Sequence, residues 1–244
     1  MAIRPRDNAS DNFLPMTDPR NFHRPIRSFV KREGRLTVGQ RRALDAGLPL
    51  FGLPPGAAPV DPVQLFGRAA PVHLEIGFGN GAALAAMAAA HPENNYLGVE
   101  VHSPGVGALL QRVMAEALSN ARVATTDVTE VLVRLPPGAL ARVYIFFPDP
   151  WPKKRHHKRR LVQPDFVQAL ARVLQPGGLL CLATDWEDYA RHMLEVLSDA
   201  PEFDNTVGAA VYAARPTARP LTRFETRGLR LGHAVRDLCF QRRG

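Results

Sequence analysis

From residue 72 onward, short apolar runs alternate with amphipathic stretches of about 10 to 15 residues, and this alternation restricts the fold more than any other feature. Strand-like runs fall at 72–76, 96–99, 122–124, 143–147 and 179–183, and helical patterns at 82–90, 105–118, 128–135 and 165–174. A helix over 186–197 and late strands around 207–212 and 234–241 complete the series. Such units pack back on one another through right-handed crossovers, so the pattern predicts an α/β fold with a doubly wound, mostly parallel, seven-stranded sheet.

Three segments follow from the same pass. Residues 1–27 combine low hydrophobicity with Arg, Asp, Asn and Pro, and read as a disordered basic tail. Residues 28–64 hold an N-terminal helix, announced by the capping-box spacing Thr37-Val38-Gly39-Gln40, and a Pro- and Gly-rich connector. Residues 65–244 form the folded domain. The first 27 residues lack an apolar signal core, and no apolar run nears the roughly 18 residues of a membrane span, so the reading is cytoplasmic with no membrane partner. The formal net charge of +8 favours an acidic partner, nucleic acid before an anionic membrane surface. Cys181 and Cys239 sit in apolar runs and read as buried thiols in a reducing compartment. Monomer and homodimer are both compatible with this composition.

The run Leu74-Glu75-Ile76-Gly77-Phe78-Gly79-Asn80-Gly81 closes the first strand and opens the first helix, with Gly77, Gly79 and Gly81 where backbone must approach a ligand closely. Ala82 also permits a dinucleotide fingerprint. Glu75 argues against it: a carboxylate just ahead of the turn repels pyrophosphate and suits a cationic sulfonium and ammonium, as in S-adenosylmethionine. Glu100 ends the second strand, where an acidic side chain accepts both hydroxyls of a ribose. Asp127, past the third strand, is placed to accept from an adenine amino group or to cap the next helix, and the two roles are compatible.

The fourth strand runs into Phe147-Pro148-Asp149-Pro150-Trp151-Pro152, a carboxylate held on backbone stiffened by proline, followed by eight basic or potentially basic residues, Lys153 to Arg160. A cationic block of this density repels itself unless an anion lies against it, and a polyphosphate is the natural partner. Trp151 reads equally as a stacking platform for a base or as an anchor beneath the loop. His156 and His157 have no further ligand at zinc spacing, so no metal is expected.

Taken together, Leu74 to Gly81, Gly98-Val99-Glu100-Val101-His102, Phe146 to Trp151, Ala183-Thr184-Asp185-Trp186 and Thr222-Arg223-Phe224-Glu225 closely resemble the bacterial tRNA (guanine(46)-N7)-methyltransferase family, from about residue 28 to the C-terminus. The resemblance implies a Rossmann-like class I fold and methyl transfer from S-adenosylmethionine to guanine N7 in the tRNA variable loop. It implies that Glu75, Glu100, Asp127 and Asp149 line the cofactor pocket, with Asp149 also the catalytic acidic residue. By the same resemblance Lys153, Asp185 and Thr222, Arg223, Phe224 and Glu225 touch the substrate, and Arg155, His156, His157, Lys158, Arg159 and Arg160 bind RNA. Two other classes compete: a non-catalytic RNA-binding protein on the same scaffold, opposed by the acidic strand ends, and a dinucleotide-dependent reductase, opposed by Glu75 and the basic loop.

Overall fold

Val72-His73-Leu74-Glu75-Ile76 forms strand β1 (Val72–Ile76), buried at every position, as happens when both faces of a sheet are covered. The computed structural model describes residues 28, 34–217, 219–221, 223–230, 232 and 234–244, so the 1–27 tail lies outside the described residues. β1 pairs in parallel with β2 (Asn95–Val99) on one side and β4 (Leu140–Phe146) on the other. Beyond them lie β3 (Ala121–Ala124) and β5 (Leu174–Thr184), also parallel. β7 (Arg236–Arg242) runs antiparallel to β5, and β6 (Phe203–Asn205) antiparallel to β7. The resulting order is β3-β2-β1-β4-β5-β7-β6.

Helices α3 (Ala82–Ala90) and α4 (Ser103–Ala115), which follow β1 and β2, cover one face, where Leu84, Met87, Leu109 and Leu110 pack against Tyr96, Tyr144 and Phe146. Helices α5 (Val128–Arg134), α6 (Pro164–Val173) and α7 (Glu187–Ser198) cover the other, where Val131, Leu170, Tyr189 and Met193 meet Leu74, Ile145 and Leu182. Helix α8 (Arg223–Arg230) precedes β7.

The expected capping box is present at the start of α1 (Val38–Phe51): Gln40 N–H donates to Thr37 Oγ1 at 3.2 Å and Thr37 N–H to Gln40 Oε1 at 3.0 Å. α1 lies on α4, with Gln40 Nε2 donating to the Pro104 carbonyl at 3.0 Å. The connector then runs along the β3 edge, where Leu53 N–H donates to Val123 O at 2.7 Å, and α2 (Pro62–Phe66) ends it.

Two expectations change. The strand predicted at 207–212 is instead β6, several residues earlier, because Gly208 and Ala210 take positive φ (+102° and +58°) and break the extended run. The Pro176-Gly177-Gly178 turn lies inside β5: pairing shifts from Leu140↔Leu174 to Arg142↔Leu179, and the intervening residues bulge with Gly177 at φ +78°.

Close packing fixes the ligand end of the sheet. A Cβ on Gly105 of α4 would lie 2.1 Å from the Gly79 carbonyl oxygen, a backbone atom that cannot step aside. Gly105→Ala is therefore expected to push the 77–81 turn outward and cost about 1–3 kcal/mol, read by urea denaturation. An unchanged midpoint would show that the turn tolerates displacement.

Candidate active site

Between β1 and β4 the strand order reverses, and the loops leaving the two strands diverge around a cavity of about 570 Å³, within the size range of small-molecule sites. Gly77 and Gly79 form its wall on the β1 side, Glu100 and Asp127 its floor beyond β2 and β3, and residues 147–152 its rim after β4. Gly77 and Gly79 adopt φ of +71° and +58°, the left-handed region that costs glycine nothing.

The Glu100 carboxylate ties this end together. Oε2 accepts from Gly79 N–H at 2.9 Å, and Oε1 accepts from the N–H groups of Val101 and His102 at 2.8 and 2.9 Å. A carboxylate has about four lone-pair sites, so with three used it has room for one ribose hydroxyl rather than two. Asp127 Oδ1 caps α5, accepting from Thr129 N–H at 2.9 Å, and the residue also lines the cavity.

Glu75 lies beneath the cavity wall rather than on it. Its side chain is 4% exposed and Oε2 has no hydrogen-bond partner among the described residues. Burial, reinforced by the Glu100 charge, pushes its carboxyl up to about 8. A buried acceptor without a donor is costly, and a cationic ammonium or sulfonium bound in the cavity would relieve it. The residues present therefore fit S-adenosylmethionine: Glu75 would attract its positive charge, and Glu100 and Asp127 would be the acceptors for its ribose and adenine.

Asp149 stands exposed on the opposite rim, on a loop fixed at several points. Phe147 N–H donates to Ala183 O at 2.8 Å, Arg160 Nε to Pro150 O at 3.0 Å, and Trp151 Nε1 to Ser28 O at 3.1 Å. Phe147 and Trp151 hold φ of +52° and +46° without being glycine, conformations that persist only where the surroundings over-determine them. Trp151 is half-buried, with the Arg159 guanidinium 5.0 Å from its ring centre and His156 edge-on at 5.8 Å. The other tryptophan, Trp186, is 39% exposed at the end of β5 and N-caps α7.

After Lys153 the basic run winds into a 3₁₀ turn, Lys154–Arg159. Lys153, Lys154, Arg155 and Lys158 point to solvent, and His156, His157 and Arg159 are half-exposed. Desolvation, and after it the positive neighbours crowded around the ring, lower the pKa of His156. Arg160 turns inward instead: it is 3% exposed, pairs with Asp188, and places its guanidinium 4.9 Å from the Tyr189 ring centre. Its grouping with the RNA-facing cations is therefore corrected, because a carboxylate and an aromatic face from α7 satisfy it inside the protein.

Glu225 is likewise enclosed. Its carboxylate accepts from Arg219 at 2.6 and 2.8 Å and from Arg215 at 2.9 Å, and Arg219 also pairs with Asp237 at 2.8 Å. Burial alone would raise the Glu225 carboxyl, but the two guanidiniums hold it below its usual range. Arg219 in turn lies 5.7 and 5.8 Å from the ring centres of Phe146 and Phe147, seating this cluster under the Asp149 loop. Asp185 is half-buried at the end of β5 and engaged by the protein. Thr222 lies outside the described residues, and Arg223 and Phe224 open α8.

Residues 69–238 match a family model described as "Putative methyltransferase". The chain is 59% identical over 223 residues to the tRNA (guanine-N(7)-)-methyltransferase of Alkalilimnicola ehrlichii, covering 90% of this chain and 94% of the relative. The chain belongs to the tRNA (guanine-N(7)-)-methyltransferase family. Other members include the enzyme so named from Pseudomonas putida, 55% identical over 91% of this chain and 93% of its own, and from Nitrosospira multiformis, 54% identical over 91% and 96%. The solved structure of the 16S rRNA methyltransferase KamB superposes with a TM-score of 0.55 at 17% identity, over 74% of this chain and 92% of that one, and shares the fold.

Of the residues that the family resemblance singles out, the structure brings Gly77, Gly79, Glu100, Asp127 and Asp149 to one cavity. Glu75 lies behind it, and Gly81 serves the turn at φ +70°, with Leu109 packed where a Cβ would go. Arg215, Arg219, Asp237 and Asp188 had no local signal: each acts through a partner distant in sequence.

If Glu75 faces the ligand's cation, it is mostly protonated at pH 7 and loses that proton on binding, so affinity rises with pH up to about 8 and then levels. Calorimetry in buffers of different ionisation enthalpy is expected to show release of roughly one proton per site at pH 7, absent in Glu75→Gln. Release that survives the substitution would place the proton elsewhere. For the basic turn, Lys158→Ala is expected to flatten the log–log salt dependence of tRNA binding by about one unit, while Arg160→Ala leaves that slope intact and costs about 1–3 kcal/mol of stability. Equal slopes in Lys158→Ala and wild type would remove Lys158 from the interface.

Proposed function

We propose that this enzyme methylates N7 of guanine at position 46, in the variable loop of tRNA, in the cytoplasm. The observation that carries the reading is the continuity of three parts on one sheet edge: the acid-lined cavity, the rigid Asp149 loop and the exposed cationic turn. S-adenosylmethionine, when bound, supplies an electrophilic methyl group on a sulfonium.

The protein's own task is then to present one guanine. N7 has a free lone pair and carries no hydrogen, so no proton has to be removed for it to act as nucleophile. Asp149 is read as the residue that orients the base, accepting from its N1–H and N2–H₂ edge, a pattern adenine cannot satisfy, and offsetting the positive charge that grows on the ring. Because the loop is fixed by Ser28, Ala183 and Arg160, Asp149 keeps its position before substrate arrives, and orientation of this kind supplies on the order of 7–11 kcal/mol in favourable cases. Lys153 and Asp185 are read as further substrate contacts, as are Thr222 and, at the start of α8, Arg223 and Phe224. Glu225 is assigned instead to holding α8 in place through Arg219. Lys154, Arg155, His156, His157, Lys158 and Arg159 meet phosphates, which set register without reading sequence.

The deciding experiment incubates the protein with methyl-labelled S-adenosylmethionine and unmodified tRNA transcripts, and maps label by cleavage at N7-methylguanosine. Label at guanine 46 is expected. Bound tRNA with no transfer to any transcript would favour the RNA-binding alternative, and label at a different guanine would correct the position. In Asp149→Asn, turnover is expected to fall about 10²–10³-fold. A near wild-type rate with the same guanine preference would exclude the orienting role.

A further inference from the structure

Cys181 of β5 and Cys239 of β7 face one another directly across the antiparallel pair, with their sulfurs 3.6 Å apart. Both are partly exposed, not buried as their apolar surroundings in the sequence suggest. The register determines which kind of pair they form. The Cys239 carbonyl accepts from Thr206 N–H at 3.0 Å, on the side away from β5, and Ala183, two residues along from Cys181, turns its carbonyl to Phe147 after β4. Backbone N–H and C=O groups of one strand residue point the same way and alternate, so the two cysteines turn their backbone polar groups away from each other. They therefore occupy a non-hydrogen-bonded position, where facing Cα atoms approach to about 4.5 Å, inside the roughly 4.4–6.8 Å range of disulfides. Bringing the sulfurs to bonding distance, near 2.05 Å, takes a shift of about 1.5 Å, within reach of small side-chain rotations.

The two thiols are chemically unequal. The hydrogen bond from Cys181 stabilises a Cys239 thiolate, against the cost of burial, with Thr206 and the Arg142 charge adding to it, and the same bond keeps the proton on Cys181. Thiolates are the reactive form of cysteine.

We propose that Cys181 and Cys239 form a redox-active dithiol site, distinct from the methyl-transfer cavity, that closes to an intrachain disulfide on meeting a peroxide. The Cys239 thiolate attacks one peroxide oxygen, the O–O bond breaks, and hydroxide leaves behind a sulfenic acid. The Cys181 sulfur then attacks the Cys239 sulfur, the S–O bond breaks, and the departing hydroxide takes the Cys181 proton as water. In sum, two thiols lose two electrons and two protons, and one hydrogen peroxide becomes two waters. A thiol reductant reverses the closure by exchange. The bond would staple β5, whose end carries Asp185, to β7, which carries the Asp237 partner of Arg219.

The test treats the full-length chain with graded hydrogen peroxide, blocks free thiols with iodoacetamide, and reads intact mass and peptide maps. The expected product is two hydrogens lighter than the reduced chain, takes up no alkyl group, contains one cross-linked peptide pair spanning residues 181 and 239, and reverts with dithiothreitol. Cys181→Ser is expected to stop at a sulfenic acid on Cys239, trapped by dimedone, whereas Cys239→Ser takes no dimedone on Cys181. The site would be overturned by two alkylatable thiols persisting after peroxide, by over-oxidation to sulfinic acid without a cross-link, or by disulfides found only between chains. The wild-type measurement stands by itself if either serine variant fails to fold.

Discussion

Helices that leave β1 and β4 must go to opposite faces of the sheet. Each crossover is right-handed, yet the chain builds outward to β2 and β3 from one strand and to β5 from the other. α3 therefore joins the face holding Leu84 and Leu109, and α6 the face holding Val167 and Leu170. No helix can fill the point of divergence, so a cavity opens there with strand ends on both sides. Every acidic group assigned to the ligand stands at or beneath that point, and the remaining contacts serve to keep its two walls in position.

Those walls are held in different ways. On the β1 side, close approach of backbone to backbone does the work: Gly105 lies against the Gly79 carbonyl, and Glu100 gathers three N–H groups from two loops. On the β4 side, side chains from remote segments converge on a loop that would not hold its shape alone. Arg160 reaches Pro150 from the far end of the basic turn, and Arg219 presses on Phe146 and Phe147 while neutralised by Glu225 and Asp237. Removing one charge from such a buried group leaves its partners uncompensated, so the cluster acts as a unit.

This difference explains what could be read from the chain. Periodicity reports which face of a strand or helix is buried, so the sheet, its helices and the glycine turn were legible, as were the acids at strand ends, whose positions follow from the strands. Orientation of long charged side chains follows from partners far away. Nothing near Arg160 distinguishes it from Arg159, yet Asp188, 28 residues on, draws one inward and leaves the other over Trp151. The family resemblance implies a substrate contact at Glu225, whereas its enclosure by Arg215 and Arg219 has no local signal, because those arginines come from a separate loop. The late strand was misplaced because alternation around Val207 resembles a strand, while backbone with positive φ at Gly208 and Ala210 cannot extend.

The chain has two tryptophans, and both stand at this one edge of the sheet, Trp151 within the Asp149 loop and Trp186 beside Asp185. Trp151 is contacted by a guanidinium and an imidazole, whereas Trp186 presents much of its ring to water. The molecule's native indole emission therefore originates entirely at the cavity edge of the sheet, and the two fluorophores there differ in their exposure to solvent quenchers. An unlabelled sample carries its own optical reporter of what arrives at that edge, with no background from the core.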